Sequence, residues 1–362
     1  MLKESYDFLE DLLQTPSPSG FEQLIQKRIK KRMNRFADDI RVDVHGNLIA
    51  CFNPEGRIRV MLAGHCDQIA MMVHHIDDQG FLHVAQIGGI DPAVLPGSPV
   101  VILTSGGPLD GVIGHKPVHL TTAADRGKPV EFSKIWIDIG AKNGAEARKL
   151  VSIGDPVTFR LQVTRLGGSL VASPGCDNKV GAFVVMEALR LVASKIRGKE
   201  KKKFPVALFS VSTVQEEIGL RGAQTSAFGI DPHVGIAVDV THATDNPGAD
   251  AKSIGSVKLG QGAAIARGPN INPVLENHMR TVARKKKIPV QLYAAPRGTG
   301  TDANAIQVTR AGVATALVSI PNRYMHTSVE VVDTKDLEIT SRLLAETILG
   351  FTPRMSFIPG TN

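Results

Sequence analysis

The chain has 362 residues, of which 43% are apolar and 21% are charged, a composition typical of a globular protein rather than a disordered or fibrous one. Its length suits two domains, since a domain commonly has roughly 100–200 residues. The net charge of +7 is concentrated in basic runs at 195–204 and 280–289, and aromatic residues make up only 5% of the chain, which argues against a nucleic-acid-binding groove and for solvated helix ends or loops.

Three features of the sequence favour a cytoplasmic location. No apolar run reaches the ~18 residues of a spanning helix, so we expect no membrane association. The opening stretch MLKESYDFLEDLLQ contains acids and lacks the basic start and apolar centre of a signal peptide. The three cysteines, Cys51, Cys66 and Cys176, form no C-x-x-C pair and are too few for a disulfide framework, so reduced thiols are expected.

The first part of the chain predicts two helices and then strands. Residues 5–14 and 21–37 carry apolar side chains at helical spacing, with the turn TPSPSG between them. Strands are predicted within 40–52 and 57–65. After residue 70 come short β-like runs punctuated by Gly, Pro and Asp, with one helical stretch, GAEARKLV. We therefore predict a β-rich insert domain at 70–169, a usual size for a domain.

Helix and strand alternate again in the last part of the chain. Continuous apolar strands that alternate with helices indicate a mainly parallel sheet covered on both faces. The predicted fold class is therefore α/β, with a catalytic domain formed by 1–69 and 170–362 and interrupted by the insert. The predicted helices lie at 179–196, 273–287, 302–312 and 334–351, and the predicted strands at 205–214, 233–240, 289–296 and 313–320.

Metal-ligand side chains follow the predicted strands. In a doubly wound sheet, ligands bind beyond the carboxyl ends of the strands. Imidazoles and carboxylates gathered there suit Zn²⁺, Co²⁺ or Mn²⁺. A single His-x-Asp or Glu-Glu pair is more often structural or solvated, but the combination predicts a metal site. The candidates are His65, Asp67, Asp177, Glu216, Glu217, Asp239 and His326.

The spacing of these residues suggests individual roles. A two-residue step along extended chain points His65 and Asp67 to the same side, so the carboxylate could hold the far ring nitrogen. Asp177 opens a predicted helix, and its two oxygens could bridge two metals. The adjacent Glu216 and Glu217 can diverge at a strand end, one as a ligand and the other as a general base. Two divalent cations would make this acidic pair tolerable.

Five separated motifs resemble the tetrahedral aminopeptidases, which include glutamyl and deblocking aminopeptidases. They are GHCD, CDNKVG, VQEEIGLRGA, VDVT and the stretch from GTGTDANA to SVEVVD, and the likeness covers nearly the whole chain. The resemblance implies one metal held by His65, Asp177 and Asp239 and a second held by Asp177, Glu217 and His326. It also implies that Glu216 is the general base and that Asp67 supports His65.

The resemblance further implies a homo-oligomeric assembly. The insert would serve dimer contacts, and dimers would form a homo-oligomeric dodecamer. The chain also departs from the family pattern in two motifs. The family commonly reads His-Met-Asp-Glu and Asp-Asn-Arg, where this chain has His65-Cys66-Asp67-Gln68 and Asp177-Asn178-Lys179. Gln68 removes a charge beside the site and so bears on substrate preference and metal affinity.

The function predicted is a metal-dependent aminopeptidase that acts on peptides with a free N-terminus. Two divalent ions, Zn²⁺ or Co²⁺, would lower the pKa of a water molecule, and Glu216 would take its proton. A dinuclear amidase or deacylase could use the same residues. A glycosidase is disfavoured because it needs two free carboxylates and usually an aromatic cleft, whereas the chain has one Trp and three Tyr. A non-catalytic scaffold would be expected to have lost ligands. The side-chain preference and the native metal stay open.

Overall fold

The computed structural model describes residues 1–120 and 128–361. Over these residues, no helix is both long enough and apolar enough to cross a lipid bilayer. The helices of the described residues are α1 (Lys3–Leu13), α2 (Gln23–Met33), α3 (Gly144–Leu150), α4 (Cys176–Lys195), α5 (Lys199–Lys203), α6 (Arg221–Ile230), α7 (Ala251–Ile254), α8 (Pro273–Lys286), α9 (Asp302–Gln307) and α10 (Thr334–Leu349).

The strands form one large sheet, a three-stranded sheet and a closed barrel. In chain order they are β1 (Asp39–Val42), β2 (Leu48–Phe52), β3 (Ile58–His65), β4 (Ala70–Ile76), β5 (Leu82–Ile87), β6 (Pro99–Thr104), β7 (Gly107–His115), β8 (Ile135–Asp138), β9 (Pro156–Phe159), β10 (Thr164–Arg165), β11 (Leu170–Ala172), β12 (Val206–Thr213), β13 (Val234–His242), β14 (Ala263–Arg267), β15 (Val290–Ala294), β16 (Ala314–Asn322) and β17 (Val331–Asp333).

The large sheet has eight strands in the order β1-β2-β12-β3-β13-β16-β14-β15. Its four central strands, β12, β3, β13 and β16, pair in parallel. The pairs β1·β2, β2·β12 and β14·β16 are antiparallel, and β14·β15 is parallel. The mixed α/β class expected from the sequence is confirmed. Because the four central strands run in the same direction, their carboxyl ends lie along one edge of the sheet.

Alternation along β3 directs side chains into two separate cores. Val60 and Leu62 belong to a core that includes apolar residues of α1, α2, α4, α8 and α10. Met61 and Ala63 belong to a second core, shared with α6 and α9. Successive side chains of a strand point to opposite faces, so helices cover this part of the sheet on both sides. The carboxyl edge of the strands is left for polar residues.

The barrel closes in the order β4-β5-β8-β7-β6-β9. It has its own apolar core, which includes Met71, Val100, Ile113 and Ile137. Its strands lie within the predicted insert, which also contains α3 and the residues 121–127 that fall outside the described ranges. The domain boundaries at 70 and 169 stay a prediction.

Several elements differ from the sequence predictions. The strand β14, with the sequence AAIAR, was not predicted, because alanine is depleted in strands and its pairing to β15 and β16 is a tertiary effect. The helix α6 was also not predicted, since RGAQTSAFGI contains two glycines, which favour helix poorly. The helix α9 ends at Gln307 rather than at 312. The strand β13, which contains Asp239, continues to His242 rather than ending at 240.

Candidate metal centre

The predicted site residues lie together at one edge of the sheet, where the central parallel strands and the start of α4 meet. His65 is the last residue of β3 and pairs with Thr213, the last residue of β12. Glu216 and Glu217 follow Thr213 in a short turn, in which Gly219 N and Leu220 N donate to Glu216 O. Asp239 comes from β13, and His326 follows the end of β16.

One group of donor atoms surrounds the buried His65, whose exposed fraction is 1%. Its Nε2 lies 3.3 Å from Asp177 Oδ1, 3.7 Å from Asp239 Oδ1 and 3.7 Å from Glu216 Oε2. Ligand atoms of His65, Glu216 and Asp239 all lie within 4.8 Å of one another. Atoms gathered in this way could share one cation.

A second group lies on the other side of Asp177. His326 Nε2 is 3.3 Å from Asp177 Oδ2 and 3.5 Å from Glu217 Oε2. Ligand atoms of Glu217, Asp177 and His65 also lie within 4.8 Å of one another. Each oxygen of Asp177 therefore faces a different imidazole, and the adjacent glutamates diverge toward the two groups.

Asp177 stands at the irregular start of α4. The helix is assigned from Cys176, but the backbone angles of Asp177 and Asn178 are not helical. Asn178 Oδ1 accepts from Gly181 N at 2.9 Å, and Asn178 Nδ2 donates to Val238 O at 2.7 Å. The bond to Val238 O anchors the start of α4 to β13, the strand that carries Asp239.

The electrostatics of the site fit divalent cations. Burial raises the pKa of Glu216 to about 10, and Asp239 and Glu217 act in the same direction. Burial and the neighbouring Asp177 raise the pKa of Glu217 well above its ordinary value. Glu217 Oε1 is buried without a hydrogen-bond partner among the described residues, whereas buried polar atoms are usually paired. Imidazole and carboxylate donors are suitable ligands for a cation that would compensate these charges.

Asp177 responds in the opposite way to the same surroundings. Burial acts to raise its pKa, but hydrogen bonds with His326 and His65 hold the pKa of Asp177 below its ordinary value. Asp177 is therefore a stable anion between two ring nitrogens. An acid in this position is suited to bridge two cations.

Asp67 contacts both His65 and the turn that carries the two glutamates. The atom nearest to His65 Nδ1 is the backbone oxygen of Asp67, at 3.1 Å, and the carboxylate oxygen Oδ1 is at 3.5 Å. The same carboxylate also accepts hydrogen bonds from Glu216 N at 3.0 Å, Glu217 N at 3.2 Å and Ser19 Oγ at 2.7 Å. Asp67 therefore orients the turn that carries both glutamates, which spacing alone did not indicate.

Gln68 and Lys179, which differ from the residues common in the family, contact each other. Lys179 Nζ donates to Gln68 Oε1 at 2.5 Å and to Thr15 O at 2.8 Å. The side chain of Lys179 is fully buried, and burial lowers its pKa to about 7. The loop after β3 and the first turn of α4 are thus joined behind the site by a lysine-to-amide bond.

Two buried acids near the site were missed by sequence reasoning. Asp302 Oδ2 accepts from Thr213 Oγ1 at 2.6 Å, and burial raises the pKa of Asp302 to about 7. Glu330 accepts from the backbone amides of Asp177 and His326, and burial raises its pKa to about 8. In the sequence, Glu330 interrupts the valine-rich stretch SVEVV. An acid in such a stretch is the sequence feature that could have indicated a buried functional carboxylate.

The barrel contributes one wall of the site through two glycines after β5. A Cβ atom placed on Gly88 would lie 3.2 Å from Glu217 Cβ and 3.0 Å from Ile69 Cγ2, and Gly88 has a φ of +76°. A Cβ atom on Gly89 would lie 3.4 Å from His326 Nδ1. The backbone of this loop therefore packs directly against residues of the candidate centre.

Gly88→Ala is expected to lower kcat/KM about tenfold, because a small displacement of a site residue has a large effect on rate. The new methyl group would press on Glu217. Gly97→Ala is a matched control, since Gly97 has a φ of +83° but no atom within 4 Å of the added Cβ. Both variants should lose roughly 1–2 kcal/mol of stability, which thermal unfolding measures. Equal kcat/KM values for the two variants would contradict a role for this packing.

Comparisons with known proteins identify the family to which this chain is similar. The model of the M42 glutamyl aminopeptidase family matches residues 46–343. A lysyl aminopeptidase of Pyrococcus furiosus is 38% identical over 357 residues, which cover 98% of this chain and 99% of the relative.

Two solved structures show the same overall fold. A TET aminopeptidase from a Thaumarchaeota archaeon of marine sediment superposes with a TM-score of 0.89 at 33% identity, covering 96% of this chain and 99% of the other. The TET1 peptidase of Pyrococcus horikoshii, described as assembling into a tetrahedron or a large octahedral shell, gives a TM-score of 0.83 at 30% identity. That match covers 96% of this chain and all of the other.

Proposed function

This chain belongs to the M42 glutamyl aminopeptidase family and is a metal-dependent aminopeptidase, and we propose that it works with two divalent cations held by the residues gathered at the sheet edge. The observation that carries the proposal is the position of Asp177. Its two carboxylate oxygens each lie 3.3 Å from the Nε2 atom of a different imidazole. A carboxylate shared in this way is suited to a two-metal site.

We assign the residues to two cation positions. His65, Asp177 and Asp239 would hold the first cation, and Asp177, Glu217 and His326 would hold the second. The nitrogen and oxygen donors favour Zn²⁺ or Co²⁺ over a metal that prefers thiolates. Cys66 and Cys176 stay outside the assignment, because both side chains are buried in the apolar core.

The bound cations would supply a more acidic water and a polarised peptide carbonyl. Glu216 is proposed to take the proton of that water and later to deliver it to the leaving amine. Asp67 fixes the backbone of Glu216 through the hydrogen bond at 3.0 Å, so that the carboxylate points toward the centre. The acidic side chains of the site would bind the free α-ammonium group of the peptide, which restricts cleavage to the N-terminal residue.

The proposed function is tested with matched substrates. Aminoacyl anilides with a free amine should be hydrolysed, while the same compounds with an acetylated amine should not. Chelation should abolish the rate, and added Zn²⁺, Co²⁺ or Mn²⁺ should restore it to different extents. Faster hydrolysis of the acetylated compounds would favour a dinuclear amidase or deacylase instead.

We also propose a homo-oligomer built from dimers. The support is the likeness to the TET1 peptidase of Pyrococcus horikoshii, which is described as assembling into closed shells. The segment 70–169 would provide the dimer contacts. Light scattering distinguishes the expected dodecamer from a dimer or a monomer.

A cytoplasmic location is part of the same proposal. All three cysteines are buried and unpaired, as is usual for proteins of reducing compartments. Fractionation of cells that express the chain tests this location, and recovery of the protein outside the cytoplasm would contradict it.

A further inference from the structure

Glu330 connects two of the proposed ligands through their backbones. Its Oε2 accepts from Asp177 N at 2.7 Å, and its Oε1 accepts from His326 N at 2.8 Å. The exposed fraction of Glu330 is 1%. Each carboxylate oxygen is therefore used by the amide of a different ligand.

The loop that carries His326 needs such support. Reciprocal backbone bonds of 3.0 Å between Arg323 and Val331 close the loop at its base. Within it, Tyr324 has a φ of 63° and His326 a φ of 62°, a left-handed conformation that is unfavourable for residues with a Cβ. The bond from His326 N to Glu330 ties the loop back onto its own base and fixes this conformation.

The same residue also ties the loop to the start of α4. Its backbone oxygen accepts from Ser173 N at 3.0 Å, and Cys176 Sγ lies 3.6 Å from that oxygen. Within the described residues, the Glu330 carboxylate forms no salt bridge with a lysine or an arginine. By contrast Glu187, another buried glutamate, pairs with Arg32 and Arg190. The Glu330 carboxylate is thus directed at the ligand amides.

We propose that Glu330 is a positioning residue that sets the separation between Asp177 and His326 and thereby the affinity for the second cation. This inference rests on the proposed two-cation function. His65 and Asp239 have no bond to Glu330, so the first cation should depend on it less. Glu330 itself is not expected to touch the substrate.

Glu330→Gln is the sharpest test of this proposal. The carboxamide keeps one acceptor oxygen but presents an N–H group to the other amide, so one of the two bonds is lost. Stepwise Co²⁺ titration, followed by calorimetry and by the visible absorption of the bound metal, should show at least tenfold weaker binding at the second step. The first step should change much less, and saturating Co²⁺ should recover most of kcat.

Glu187→Gln is the matched control, because it makes the same change at a buried glutamate away from the site. It should leave both Co²⁺ steps unchanged. Glu330→Gln with two wild-type binding steps would overturn the inference and leave the two-cation function intact. A wild-type protein that binds one cation or none would overturn both.

A measurement on the wild-type protein covers the case in which Glu330→Gln does not fold. Amide hydrogen exchange in the metal-free protein should show protection at Asp177 and His326, since both amides donate to a buried carboxylate. Exchange of both amides at the rate of an open loop would overturn the inference.

Discussion

Glu216→Gln is expected to lower kcat about a thousandfold while both cations stay bound, because general acid and base catalysis contributes roughly 10²–10⁴ to rates. The amide has nearly the same size as the carboxylate but cannot take a proton from water. The backbone bond from Glu216 N to Asp67 is unaffected by the change. Initial rates on a leucyl or lysyl anilide, together with metal content measured by mass spectrometry, check both parts of the expectation.

Glu217→Gln replaces the neighbouring carboxylate by an amide and is compared with Glu216→Gln to separate a metal ligand from a general base. Because Glu217 Oε2 faces His326 at 3.5 Å, this variant should lose affinity for the second cation and recover part of its activity in excess metal. Excess metal should not rescue Glu216→Gln. Near wild-type turnover by Glu216→Gln would refute its role as the base, and loss of metal from that variant would make Glu216 a ligand.

Asp177→Asn is expected to abolish activity and to weaken the binding of both cations. The carboxylate directs one oxygen toward His65 and the other toward His326. The neutral amide has one oxygen, and its nitrogen cannot ligate a cation. A ligand present at 100 times its Kd stabilises a protein by about 2.7 kcal/mol. Added Zn²⁺ should therefore raise the Tm of the wild type clearly and that of Asp177→Asn little.

Asp78→Asn is the control for removing one carboxylate from the chain. The Asp78 side chain is fully exposed between β4 and β5, and among the described residues its ion-pair contact is a long one of 3.5 Å with Arg148, while its backbone oxygen accepts from Gly144 N. This variant should keep its metal content, activity and Zn²⁺ response. If Asp177→Asn retains one tightly bound cation per chain, then Asp177 serves a single cation position and the shared-ligand assignment is wrong.

The sequence predicts those features of the centre that follow from local periodicity and strand direction. Apolar runs before His65 and Glu216 indicate buried strands, and parallel strands place their carboxyl ends at one edge. The same reasoning groups His65, Asp177 and His326, whose side chains lie 3.3 Å apart in each His–Asp pair. It failed for β14, whose alanines have little preference for a strand and which is held by its partners in the sheet.

The supporting contacts could not be predicted in the same way. Glu330, Gly88 and the bond from Lys179 to Gln68 join segments that are far apart in the chain, and no spacing rule connects them. Spacing places Asp67 on the same side as His65, but it does not show that the carboxylate also accepts from the amides of Glu216 and Glu217. Such choices depend on the packed fold, in which most buried acceptors are paired with a nearby donor.

The order of the elements along the chain has a consequence for how this enzyme acquires activity. The whole barrel is inserted between β3, which ends at His65, and α4, which begins beside Asp177, so the 3.3 Å contact between these residues has a high contact order. Contacts of this kind close late, because the intervening chain must be ordered first. A chain in which this contact has not yet formed is therefore expected to lack the proposed cation-binding centre, so metal uptake should follow the folding of the barrel.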